Sequence, residues 1–259
     1  MVKLIQKLKN NLIMQIRVYK MKVFKYEITD STNTRAKEYA KDGHAEMPAL
    51  FIADGQTAGR GRRGRSFDSA LGAGLYMSIL FRPDSDTADA ARITVRAAVS
   101  VCRAIHSLYA THVGIKWVND IFFGGRKLAG ILTEGEIDGG GGFRYAVCGI
   151  GINILSREFP EEISGLVTTL EDVLGARADR DRLSKRIVEE FFADRDFSDI
   201  IEEYRSLSVV IGKRVQVKRI SGESFFAEVL DITDGGALLV SRDGGVIEEL
   251  ISAEVSVIL

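Results

Sequence analysis

The sequence predicts a mixed α/β domain followed by a small all-β module. Three observations carry that reading. Apolar strand-like runs alternate with helical-period segments as far as about residue 208; glycine turns join neighbouring runs into hairpins between 113 and 154; and from Gly212 onward short alternating runs are separated by Ser-Gly and Asp-Gly-Gly turns. With 259 residues, 46% hydrophobic and 27% charged, the chain is long enough to bury a core and falls outside the disordered classes.

In chain order, 22–28 reads as a strand and 32–42 as a helix of good helix formers ending at Asp42-Gly43. A short buried strand over 48–54 delivers the segment GQTAGRGRRGR. Residues 74–83 form an apolar strand stopped by Pro83, and 87–110 repeats apolar residues at helical spacing. Strands over 113–123 and 127–137 flank the Gly124-Gly125 turn. A second glycine turn leads into the strand 143–154, so an antiparallel or mixed sheet is expected. Helices follow at 168–175 and 179–206, the latter breaking near 194–197. Four or five strands after Gly212 suggest a small barrel, with a boundary near 208. Residues 1–21 form an extension: its apolar stretches are interrupted by Lys, Gln and Asn, which excludes a signal peptide or membrane span. An added helix, a partner-binding segment and an upstream start remain open for it.

The formal net charge is −1, so the arginines at 60, 62, 63 and 65 are a local feature and not part of a protein that coats nucleic acid. Cys102 and Cys148 lie in apolar surroundings without CxxC spacing, and His44, His106 and His112 form no ligand pattern with them. Both thiols read as reduced core residues of a cytoplasmic protein.

The arginine segment follows a strand end, where open sheets place ligands. Glycines 59, 61 and 64 let backbone N–H groups approach an anion, and the arginines offer bidentate forks. No Gly-Lys-Ser/Thr follows, so it is not a P-loop. A solvated basic loop that binds nucleic acid is the alternative. In KWVND, strand alternation would put Lys116, Val118 and Asp120 on one face and Trp117 and Asn119 on the other; a packed Trp and an Asn-Asp turn explain it equally well. Asp120 or Asn119 beside a divalent cation is the functional version. Lys127 opens a strand near Gly130, either solvated or poised to stabilise phosphoryl charge. Ser31-Thr32-Asn33 starts a helix with more polar groups than capping needs, enough to read a cyclic urea or amide. GIGIN (149–153) reads as a buried strand or, in a site, a smooth apolar wall.

Together Ser31-Thr32-Asn33, ADGQTAGRGRRGR, KWVND, KLAGIL and GIGIN, in this order, resemble the motif set of the biotin protein ligases. The resemblance covers about 22–258. It implies a mixed sheet flanked by helices of the class II aminoacyl-tRNA-synthetase type (22–208) and an SH3-like end domain (209–259). It also implies an ATP-dependent ligase that activates biotin to biotinyl-5'-AMP and transfers it to a lysine of a biotin carboxyl carrier protein, of acetyl-CoA carboxylase or another biotin-dependent carboxylase. Lipoate ligation, in the same superfamily, is the competing reading, and a phosphate or RNA-binding module the third.

Carried over by resemblance, Lys127, Arg62 and Arg60 are catalytic. Ser31, Thr32, Asn33, Gln56, Gly59, Arg62, Lys127, Gly130 and Leu132 bind biotin. Arg60, Arg62, Arg63, Arg65, Phe67, Lys116, Trp117, Asn119, Lys127 and Asn153 bind ATP, and Asp120 serves a magnesium ion. The family's usual KWPND proline is Val118 here, which is expected to free the local backbone, and Phe67 stands where some members carry tryptophan. The DNA-binding amino-terminal domain of the repressor-ligases is absent, so no operator binding and no membrane partner are expected. A homodimer through the sheet is compatible with the resemblance, though no residue stripe marks it.

Overall fold

A computed structural model describes residues 21–42, 44–84, 89–139 and 143–257. The amino-terminal extension, apart from Met21, lies outside the described residues, as do most of the second glycine turn and the start expected for the long helix.

A seven-stranded sheet has the order β1-β2-β3-β7-β6-β5-β4. Its strands are β1 Lys22–Thr29, β2 Ala49–Gln56, β3 Gly74–Phe81, β4 Gly114–Lys116, β5 Asp120–Phe123, β6 Arg126–Ile137 and β7 Phe143–Asn153. Only β1 and β2 run parallel; every other neighbouring pair is antiparallel, which makes the sheet mixed as the hairpin spacing implied.

Helices cover both faces, and that explains why β3 reads as an unbroken apolar run and not as an alternating one. On one face Leu75, Met77 and Ile79 join the main core with α2 (Ala90–Tyr109), α5 (Arg180–Phe191) and α6 (Phe197–Ser206). On the other, Phe51, Leu80, Tyr145 and Val147 pack with Ala36 of α1 (Thr32–Lys41). Two shorter helices, α3 (Glu161–Ser164) and α4 (Leu170–Leu174), lie between β7 and α5. The long helical segment expected over 179–206 is two helices, parted at 192–196, close to the anticipated break. Both cysteines are buried thiols, and burial pushes each thiol's pKa up, that of Cys148 to about 12.

One expectation is corrected. The strand over 113–123 is a hairpin: Lys116 pairs with Asp120 across a turn at 117–119. Lys116 and Asp120 do share a face, but Val118 turns into the core beside Trp117 instead of joining them. The Trp117–Val118 peptide is cis, and the Val118 carbonyl accepts a 2.9 Å bond from the buried Tyr204 hydroxyl. The carboxy-terminal module has the short strands expected of it. Its strands β8 (Arg214–Lys218), β9 (Ser224–Ile232), β10 (Leu238–Arg242), β11 (Ile247–Leu250) and β12 (Glu254–Val257) form an antiparallel sheet ordered β11-β10-β9-β8-β12, and no pairing joins β11 to β12 among the described residues. Inward residues Val215, Val217, Ala227, Val229, Val240 and Val255 merge with the main core.

The module is tied to the cleft hairpin. The Trp117 indole donates to the Gly236 carbonyl at 2.8 Å, and residues 207–209 pair with Ile115. Tyr204→Phe leaves the buried Val118 carbonyl without its donor, so it is expected to lower stability by about 1–2 kcal/mol in urea unfolding, with little change in m-value.

Candidate active site

The sheet, the N-terminus of α1, the arginine segment and the β11–β12 turn enclose one cleft. Its floor is set by missing side chains. Gly130 on β6 stands opposite Gly151 on β7, and Leu132 opposite Gly149. A Cβ at 149 would lie 2.2 Å from Asn33 Oδ1, and one at 151 would lie 2.7 Å from the Phe67 ring. Only hydrogen in place of a methyl lets Asn33 and Phe67 lie flat on the sheet.

At the α1 end Ser31, Thr32 and Asn33 are all buried. The Ser31 side chain makes no cap bond, so its hydroxyl is left to the cleft. Gln56 accepts the Thr32 N–H at 2.9 Å and donates through Nε2 to Ser69 at 2.9 Å. Ser78, the one polar residue in the apolar β3, lies 2.7 Å from Thr32 Oγ1 and 2.6 Å from Asn33 Oδ1. Asn33 Nδ2 donates to Glu134 at 2.8 Å, and Lys37 pairs with the same carboxylate at 2.7 Å, with Arg60 at 3.7 Å. Burial works to raise the Glu134 pKa, but bonds from Lys37 and Asn33 and the charges of Lys37 and Arg60 outweigh it and hold the carboxyl below its ordinary range.

At the other end the cations gather. The arginine segment is a short ribbon closed by an Arg60–Ser66 bridge, with a 3-10 turn at Arg62–Gly64 and Arg63 in the left-handed region at φ 57°. Arg62 donates to Asn119 Oδ1 at 3.1 Å and to Ser252 Oγ at 3.0 Å, both neutral acceptors. Burial, then the neighbouring Arg63, push the Arg62 pKa down, with Asp120 opposing. Arg63 also reaches Ser252, and Arg65 pairs with Glu254. Lys127 Nζ stands 2.7 Å from Asp120 and 6.0 Å from the Phe67 ring centre. Lys116, lying over Phe122, has its pKa lowered by burial first and then by Lys127, against Asp120 and Glu254. A half-buried cation cluster with few counter-charges is a seat for an anion.

Most of the residues picked from sequence therefore meet in one cleft: Ser31, Thr32, Asn33, Gln56, Arg60, Arg62, Arg63, Arg65, Phe67, Lys116, Trp117, Asn119, Asp120, Lys127, Gly130 and Leu132 all line it. Gly59 and Asn153 do not. Gly59 sits behind the segment, where a Cβ would meet the Phe67 carbonyl at 2.4 Å, and Asn153 is buried with its amide on the Thr168 carbonyl. Trp117 borders the cleft, but its N–H is committed to Gly236. Asp120 is engaged by Lys127, and no group of three His, Cys, Asp or Glu side chains among the described residues could hold a metal. Sequence reading missed Lys37, Ser78, Glu134, Ser252 and Glu254. A lone serine in an apolar strand was a usable signal for Ser78; the C-terminal pair had none.

Residues 26–153 match the biotin/lipoate A/B protein ligase family, and 210–257 match the biotin protein ligase C-terminal domain. The bifunctional ligase/repressor BirA of Bacillus subtilis is 33% identical over 238 residues, 89% of this chain and 72% of that protein. A Mycobacterium tuberculosis protein named as a biotin ligase of acetyl-CoA carboxylase is 32% identical over 83% of this chain and 82% of its own. The Aquifex aeolicus biotin protein ligase, solved with biotin and ATP, superimposes with a TM-score of 0.78 at 27% identity, over 91% of this chain and 98% of that one.

Because the folded Glu134 pKa is depressed, the unfolded chain takes up the proton first as pH falls. The carboxylate's contribution is complete above its unfolded value of ~4.3 and is lost as pH drops from there through the folded value. Urea unfolding of wild type and Glu134→Gln is expected to show wild type more stable at pH 7, with the gap closing as the pH falls toward 3.

Proposed function

The chain belongs to the biotin/lipoate A/B protein ligase family, and from that premise we infer that it uses ATP to activate biotin and ligates it to a carrier protein. The observation that carries the reading is the two-ended cleft: a neutral hydrogen-bonding recess at Thr32, Asn33 and Gln56, joined by a glycine floor to the cations Arg62, Lys116 and Lys127. Residues 22–208 form the catalytic part and 209–259 the end module. Lipoate ligation is disfavoured, because a dithiolane ring has no polar atoms for such a recess to read.

In the first step the biotin carboxylate attacks the ATP α-phosphate, and the bond to pyrophosphate breaks. Two anions must meet and the transition state concentrates negative charge, so Arg62 and Lys127 act by positioning and electrostatic stabilisation. Asp120 holds the Lys127 ammonium within the cleft until an anion competes for it. Arg60, Arg63 and Arg65 extend the positive field along the polyphosphate, and Phe67 offers its ring to the base. In the second step a carrier lysine amine attacks the mixed anhydride and AMP leaves. Magnesium, where present, would arrive with the nucleotide; its one expected protein ligand, Asp120, is already ion-paired, so no step is assigned to it.

The acceptor is a biotin carboxyl carrier domain, and the cytoplasm, where both thiols stay reduced, is the proposed compartment. No helix among the described residues is long and apolar enough to cross a membrane. With a net charge of −1 and the arginines at 60, 62, 63 and 65 lining one cleft, no DNA partner is proposed. Association of two copies through the sheet would use the β1 edge, where Val23 and Ile28 are exposed.

Arg62→Ala and Lys127→Ala should each slow biotin-dependent pyrophosphate exchange by about 10²–10³-fold with an unchanged circular dichroism spectrum; wild-type rates in either folded variant would refute the assignment. Incubating a carrier domain with this protein, ATP, magnesium and biotin should add one biotinyl mass to the carrier, while lipoate in place of biotin should add nothing.

A further inference from the structure

We propose that Ser252, in the turn between β11 and β12, is a positioning residue for the activation step: its hydroxyl aims the Arg62 guanidinium into the cleft while leaving the charge of that group whole. The proposal rests on the reading of Arg62 as a residue of biotin activation.

Arg62 opens the short 3-10 turn of the arginine segment, where it is half-buried while Arg63 and Arg65 are exposed. A long side chain on such a turn has many rotamers and no direction of its own. Two acceptors from separate sheets supply one. Asn119 takes a proton of Nη1 at 3.1 Å and Ser252 takes one of Nη2 at 3.0 Å, and together they set the plane of the group. A guanidinium has five N–H groups, so these two bonds leave three for an anion.

Both acceptors are themselves anchored. Asn119 gives its Nδ2 to the Ile131 carbonyl at 2.9 Å, which leaves its Oδ1 for Arg62, and its own carbonyl accepts from the Ile131 N–H at 2.9 Å. Ser252 lies between Leu250 and Ala253, both buried in the core that the two sheets share, while Ile251 is exposed. The place of the hydroxyl is therefore set by how the end module packs.

The charge that these partners lack matters as much as the bonds they make. Among the described residues no carboxylate pairs with Arg62, although Arg60, Arg65 and Lys127 each have one. A hydroxyl has two lone pairs, and Ser252 also meets Arg63 Nη2 at 3.4 Å. One neutral oxygen thus seats two guanidinium groups that repel each other. A carboxylate at 252 would grip both more tightly, through charge-assisted bonds, and would cancel part of the field that an incoming polyphosphate meets. Strength of tethering and speed of activation should run in opposite directions at this position.

The test is biotin-dependent pyrophosphate exchange in variants shown by circular dichroism to be folded. Ser252→Ala should lower kcat about tenfold and keep KM for biotin within about threefold, because the aim of Arg62 is lost and the ring recess is not. Ser252→Asp, the stronger tether, should be slower still, by about 100-fold against wild type. In the Arg62→Ala background, Ser252→Ala should cost less than about twofold more, since its effect runs through Arg62. A Ser252→Asp enzyme faster than the alanine variant would show that the arginine segment needs only a tether and would overturn the proposal. So would a Ser252→Ala loss that persists in full without Arg62, or a Ser252→Ala enzyme that matches wild type. Absence of biotin-dependent exchange in wild type would instead overturn the activation reading and take the proposal with it.

Discussion

Three absent methyl groups govern the cleft. Gly130, Gly149 and Gly151 lie together on β6 and β7, and their bare backbone lets the Asn33 amide, the Phe67 ring and the Lys127 ammonium come down onto the sheet. Any β-carbon there would push these groups upward and separate the recess from the cations. The register that aligns Gly130 with Gly151 is therefore as much a part of the site as the side chains it carries.

Above that floor the protein keeps positive charge in a half-dry place with few anions to neutralise it. Arg62 is held by the neutral oxygens of Asn119 and Ser252, which fix its direction without cancelling its charge. Of the nearby carboxylates, Asp120 takes Lys127 and Glu254 takes Arg65, while the hydrogen bonds of Arg62 go to neutral oxygens. Such preorganised cations cost little reorganisation when negative charge builds up on a phosphoryl group. Because Ser252 and Glu254 come from the end module, the arginine segment is shaped jointly by two sheets that share one core.

The recess follows the opposite principle. Its side chains bond mainly to one another: Gln56 accepts from Thr32 and donates to Ser69, and Asn33 donates to Glu134. A cation-rich segment that merely followed an RNA backbone would spread its charges along an exposed face. Here they line one cleft whose other end is a neutral hydrogen-bonding recess.

Much of this was legible in the linear chain because local chemistry wrote it there. Hairpin glycines announced the antiparallel strands, the helical spacing over 87–110 announced α2, and glycine interleaved with arginine announced an anion site beside a strand end. What stayed hidden depended on distance along the chain. Lys116 and Asp120 face each other only because 117–119 turns and buries Val118 and Trp117, which no alternation rule foresees. Asn153 and Gly59 belonged to the right motifs but point their contacts away from the cleft. The sequence by itself determined which residue types were available and on which kinds of element they would sit, since propensity and turn chemistry act within a few residues. Only the tertiary structure decided that Glu134 would meet Asn33 across 101 positions, or Ser252 meet Arg62 across 190, because such partners are chosen by packing and register between segments that carry no local mark of one another.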